Sequence, residues 1–224
     1  MNDVKIYGNP IADVTVIRLL GEHEYNIDDE IKLLSKRSGD SEWCMLTVQV
    51  SNWEYEMSPW VTNVNYKEVP DEIPAYIDSG ARTKLNSIID EVIPDYESEY
   101  PNANRKYIIA GYSLAGLFSL WASYQTDKFF AVMAASPSVW YLGWKHYIKE
   151  NECKAKVVYL SLGNKEHKTR HPLMAGVADN IKEQKEILSN QGIEVFYEEN
   201  QGNHFKDVTE RMVKGMSYLF KTIK

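Results

Sequence analysis

At 224 residues, with 44% hydrophobic and 12% aromatic side chains, the chain can bury a sizeable core and does not have the composition of a disordered segment. Its formal net charge of -7, with no Lys/Arg-rich run, argues against a nucleic-acid partner. Cys44 and Cys153 stand far apart in strand-like surroundings, which offers neither a CxxC redox pair nor a thiolate metal site and reads as two buried free thiols.

The first twenty residues lack a basic start followed by an apolar stretch and a cleavage site. No apolar run approaches the roughly 18 residues of a membrane span. The expectation is a cytoplasmic protein without a membrane partner.

In chain order, residues 14–20 (VTVIRLL) read as a strand and 26–36 as a helix, with Ile27, Ile31, Leu33 and Leu34 near helical spacing behind acidic residues suited to a helix N-terminus. Residues 44–50 (CMLTVQV) form the next strand. From 51 to 74 the pattern breaks into SNWEYEMSPW and a Pro-punctuated stretch, irregular and aromatic, the kind of loop that lines a site. Leu85, Ile88, Ile89, Val92, Ile93 and Tyr96 set a helix over 82–99 that Pro94 should kink.

Residues 107–110 (YIIA) make a short apolar strand running into GYSLAG, followed by Leu117, Leu120, Trp121 and Tyr124 on one helical face. Strands at 130–135 and 157–162, a helix marked by Val177, Ile181, Ile187 and Leu188, a strand at 194–197 and a helix from about 205 to the end complete the order. Continuously apolar strands alternating with helices imply an α/β fold: a mostly parallel central sheet with helices on both faces. No repeat or boundary divides the chain, so one domain over 1–224 is expected.

A serine hydroxyl is a poor nucleophile until a base can reach it and donors can stabilise an oxyanion. A sharp strand-to-helix turn meets both needs, with small residues two before and two after the serine to let the backbone bend. Gly111, Ser113 and Ala115 have this spacing, Ala standing where Gly is commonest, and they lie between an apolar strand and an amphipathic helix.

The base and acid of such a fold follow the serine in the chain, each on a loop after a strand. His204, in ENQGNHF, follows the 194–197 strand, with Gly202 giving its loop room to turn. His23 precedes the nucleophile, His146 follows a Trp-rich stretch, and His167 and His171 occupy the loop where the acid belongs. That loop, GNKEHKTR, offers Glu166 as the nearest carboxylate, ahead of Asp179 and Asp207; Asn164 cannot carry charge.

The segments GYSLAGLFSLWASYQTD, YLSLGNKEHKTR and NQGNHF, with SNWEYEMSPW, resemble the esterases related to enterochelin esterase and esterase D, over about 14–220. The resemblance implies an α/β-hydrolase fold without a large lid domain. It implies a serine esterase hydrolysing a small-molecule carboxylic ester through an acyl-enzyme, with no cofactor and no metal. It also implies an oxyanion hole from the N–H of Leu114 and one near Asn52 or Trp53, taken here as Trp53. The resemblance implies Asp at the position of Asn164 and Glu at Glu166, so the departure at Asn164 either removes the acid or marks Glu166 as the one that matters.

Rival readings are an acyltransferase or thioesterase on the same serine, a non-catalytic hydrolase-like binding protein, and a metal-dependent hydrolase using Glu166, His167 and His171. Trp53, Trp60 and Trp140 read equally as packing residues or substrate contacts. The aromatic 53–66 stretch would also suit a homodimer contact.

Overall fold

The apolar runs of the sequence become strands because each has side chains to bury on both faces. In the computed structural model, which describes residues 4–21, 27–62 and 77–223, they form a seven-stranded sheet. Its strands are β1 (Val4–Gly8), β2 (Val14–Gly21), β3 (Cys44–Val50), β6 (Lys106–Tyr112), β7 (Phe129–Ala135), β8 (Val157–Gly163) and β9 (Glu194–Asn200). They lie in the order β1-β3-β2-β6-β7-β8-β9, and every neighbouring pair is parallel except β1 with β3.

Alternation sorts the side chains into two cores. Val14 and Val16, Ile108 and Ala110, and Ala131 and Met133 face α1 (Ile27–Ser38) and α9 (Val208–Thr222), which supply Leu34, Met212, Met216 and Leu219. Ile17 and Leu19, Ile109, Val132 and Val158 pack on the opposite side against Ile88, Leu117, Leu120 and Ile181. Those come from the helical run 81–99, from α5 (Ser113–Gln125) and from α8 (Val177–Asn190). Helices therefore cover both faces, as the continuous hydrophobicity of the strands requires.

The helix expected over 82–99 is present, and its kink is a π-turn. It comprises α3 (Ala81–Ser87), the π-turn Ile88–Val92 and α4 (Ile93–Glu99). The Ile93 N–H reaches back five residues to the Ile88 carbonyl, just before Pro94, which has no N–H to give.

The pattern of the 51–74 stretch hides a short helix, α2 (Trp53–Met57), and a short strand, β4 (Trp60–Val61), which pairs with β5 (Ile77–Asp78) beyond it. The part of that stretch beyond residue 62 lies outside the described residues. The outer strand β1 and two short helices, α6 (Trp144–Glu150) and α7 (Pro172–Ala175), were not signalled by periodicity, being too short to show it. Cys44 and Cys153 are buried free thiols, and burial pushes both thiol pKa values up.

Candidate active site

The carboxyl ends of β6, β8 and β9 lie along one edge of the sheet, where the loops that follow them meet. Ser113 opens α5 directly after β6 with a backbone φ of 57°, the left-handed region that a side chain adopts only when the surroundings impose it. The turn closes tightly enough that a Cβ on Gly111 would lie 2.2 Å from the Ala115 carbonyl oxygen. Gly is obligatory at that position, whereas Ala115 fits, fully buried, where the commoner pattern has a second glycine.

The structure brings Ser113, His204 and Glu166 together in one line. His204 Nε2 stands 2.9 Å from Ser113 Oγ, and its Nδ1 stands 2.8 Å from Glu166 Oε2. Glu166 Oε1 accepts from the Gly163 N–H at 2.6 Å, the Ser136 hydroxyl at 2.7 Å and Arg211 Nη1 at 2.9 Å. Burial pushes the Glu166 carboxyl pKa up, but the hydrogen bonds from His204, Ser136 and the Gly163 backbone outweigh it and hold the group below its ordinary 4.5. The carboxylate is thus kept ionised beside the imidazole.

Asn164 plays a different part. Its Oδ1 accepts from the Gly202 N–H at 3.0 Å and its Nδ2 donates to Gln201 Oε1 at 3.0 Å, tying the loop of Glu166 to the loop of His204. The expected turn at Gly202 is there, with φ at 109°. Asp179 is an exposed residue of the first turn of α8, and Asp207 sits at the N-cap of α9, so neither reaches the imidazole.

Of the remaining histidines, His146 lies 3.1 Å from Glu150 on α6, and His171 Nδ1 accepts from the Met174 N–H to cap α7. His167 is exposed, and His23 lies outside the described residues. The metal reading fails on geometry. Among the described residues no three His, Cys, Asp or Glu side chains gather as a metal site, and the Glu166 carboxylate is fully engaged elsewhere.

Sequence reasoning missed Arg211, which is 1% exposed. Its Nη1 reaches Glu166, Ser136 and the Tyr112 hydroxyl at 2.9, 2.9 and 3.1 Å, and its Nη2 donates to the Asn203 carbonyl at 2.9 Å. Tyr112 in turn donates to the His204 carbonyl at 2.6 Å. One guanidinium therefore ties together Glu166, the loop of His204 and the strand that runs into Ser113. The available signal was its place in α9: Arg211 falls on the stripe of Val208, Met212, Met216 and Leu219, where a charge is out of pattern.

Leu114 and Trp53 occupy the first turns of α5 and α2, where backbone N–H groups lack intrahelical acceptors. The turn at Trp53 is held from both sides. Asn52 Oδ1 accepts from the Tyr55 N–H at 3.3 Å, and Glu56 accepts from the Asn52 N–H at 2.7 Å while pairing with buried Lys84 at 2.6 Å.

Two cavities open on Ser113. One, about 560 Å³, is lined by Trp53, Tyr55, Trp60, Leu114 and Tyr141 among others; the second, about 440 Å³, by Lys165, Lys168, Met174, His204 and Phe205 among others. Ser113 and Trp140 line both. Trp60 is buried and donates to the Leu142 carbonyl at 2.9 Å within an aromatic cluster, so packing is its main role. The Trp53 ring packs on Gly21.

Strand order, elbow and cleft define an α/β-hydrolase. The chain belongs to the esterase family whose model, described as "Putative esterase", matches residues 57–215, and it is by that membership a carboxylic ester hydrolase. Solved structures share the fold at low identity. An IroE-like serine hydrolase from Shewanella oneidensis superposes with a TM-score of 0.76 at 19% identity, over 97% of this chain and 75% of that one. The siderophore hydrolase EstB from Aspergillus nidulans gives 0.70 at 18% identity, over 96% and 88% of the two chains. The enterobactin esterase FES from Shigella flexneri gives 0.68 at 16% identity, over 99% of this chain and 56% of that one. A search of curated proteins by sequence found no match. Among the described residues no helix is long and apolar enough to cross a membrane.

Proposed function

We propose that the chain hydrolyses a small-molecule carboxylic ester through an acyl-enzyme on Ser113, with His204 as general base and Glu166 as the acid that orients it. The observation that carries this reading is the continuous line Ser113 Oγ, His204 Nε2, His204 Nδ1, Glu166 Oε2 at 2.9 and 2.8 Å, opening on two cavities. Ser113 Oγ attacks the ester carbonyl carbon as His204 Nε2 takes its proton. The oxygen that becomes negative is stabilised by backbone N–H groups, for which Leu114 and Trp53 are the candidates. The imidazolium, steadied by Glu166, returns the proton to the leaving alcohol, and water then releases the acid by the same steps.

Labelling of the intact protein with a fluorophosphonate, followed by peptide mapping, tests it. The expected result is modification at Ser113, lost in Ser113→Ala and strongly reduced in His204→Ala, with turnover of 4-nitrophenyl butyrate reduced by about 10³-fold or more in both. Undiminished turnover by folded Ser113→Ala would sink the assignment.

A further inference from the structure

The cleft is divided in a way that assigns its halves. The protonated His204 Nε2 must reach the leaving oxygen, so the alcohol part of the ester extends into the cavity that His204 lines. The acyl part then occupies the other cavity, beside Leu114 and Trp53. Trp140 lines both.

The halves differ in charge. The alcohol side carries Lys165 and Lys168, and its carboxylate, Glu166, is already engaged by His204 and Arg211. Both lysines are exposed, and among the described residues neither has an ion-pair partner. Among the described residues, the lining of the acyl side has Glu54 and no cationic side chain. In a chain of formal net charge -7, two ammonium groups without ion-pair partners line the same cavity as Ser113. The alcohol-side wall also has apolar surface from Pro137, Met174, Val177 and Phe205 and neutral polar groups from Ser136, Thr169 and Asn203.

We propose that the leaving alcohol carries a carboxylate, seated by Lys165 and Lys168, so that the natural substrate is an ester of a hydroxycarboxylic acid. This inference rests on the serine mechanism proposed above. A carboxylate there gains two charge-assisted contacts without leaving a buried charge behind, because both ammonium groups stay in reach of water.

The test compares two chromogenic esters, 4-nitrophenyl butyrate and 3-carboxy-4-nitrophenyl butyrate, and reads the ratio of their kcat/KM values. Wild type is expected to favour the carboxylated ester, and the ratio to fall about tenfold in Lys165→Ala/Lys168→Ala. It should be retained in Lys165→Arg/Lys168→Arg and weakened by 0.5 M NaCl in wild type. An unchanged ratio in the alanine variant, with both esters turned over, overturns this inference alone. Failure of wild type to turn over either ester overturns the serine mechanism and this inference with it.

Discussion

Arg211 shows what a single residue does in this site. Its guanidinium holds Glu166 Oε1, while the opposite oxygen faces the imidazole, and its second nitrogen holds the carbonyl of Asn203, the neighbour of His204. A lysine has one ammonium and cannot make both sets of bonds with the same geometry. Arg211→Met is therefore expected to lower kcat about 10- to 100-fold with KM changed less than threefold, and Arg211→Lys to recover part of the loss. A loss expressed wholly in KM would show that Arg211 acts on substrate binding instead. Circular dichroism melts on both variants separate this positioning effect from unfolding. The meeting of Ser113, His204 and Glu166 was legible because each combines a residue type with a place after a strand. Arg211 and Ser136 were not, since they act from a helix interior and a loop that carry no motif.

At the scale of the element, the unit is the strand, elbow and helix formed by β6 and α5. Its closure depends on the absence of a side chain at Gly111, where a Cβ would meet the backbone of Ala115 and Gly116 at 2.2 to 2.7 Å. Backbone cannot swing away as a flexible side chain would, so Gly111→Ala should force the elbow open. The expected cost is about 2–3 kcal/mol in urea unfolding, together with loss of fluorophosphonate labelling at Ser113. Labelling at the wild-type rate would mean that the turn tolerates a different conformation.

The long elements were legible from periodicity: β2, β3, β8, α1, α8 and the 81–99 run all lie within a few residues of where their apolar spacing puts them. What spacing could not reveal was α2, whose five residues are held by Asn52, by Glu56 and by Lys84 from α3 rather than by any pattern of their own. Pro94 likewise announced a distortion without saying which. The π-turn follows from the neighbouring packing, which keeps Ile88, Val92 and Ile93 all buried.

The whole molecule was legible as an alternating, mostly parallel α/β sheet because every central strand is buried on both faces, a condition that only helices on both sides satisfy. One consequence of that burial reaches beyond the site. Tyr96, Tyr107, Tyr112, Tyr124 and Tyr159 are all buried, and desolvation is the first cause pushing each phenol pKa above its ordinary 10, to about 12 for Tyr112. In the unfolded chain the same phenols ionise near 10, so above that pH the unfolded state releases protons that the folded state retains. Folding stability from this source is fully present below pH 10 and declines as pH rises beyond it, by about 1.4 kcal/mol per pH unit for each such phenol. Domains are stable by only about 5–15 kcal/mol, so a few phenols acting together suffice to unfold the chain. Phenolate absorbance near 295 nm should therefore rise in one cooperative step between about pH 11 and 12.5, coincident with the loss of far-ultraviolet circular dichroism. A gradual rise centred at pH 10 with the dichroism intact would show these phenols open to solvent and refute the burial that both faces of the sheet require.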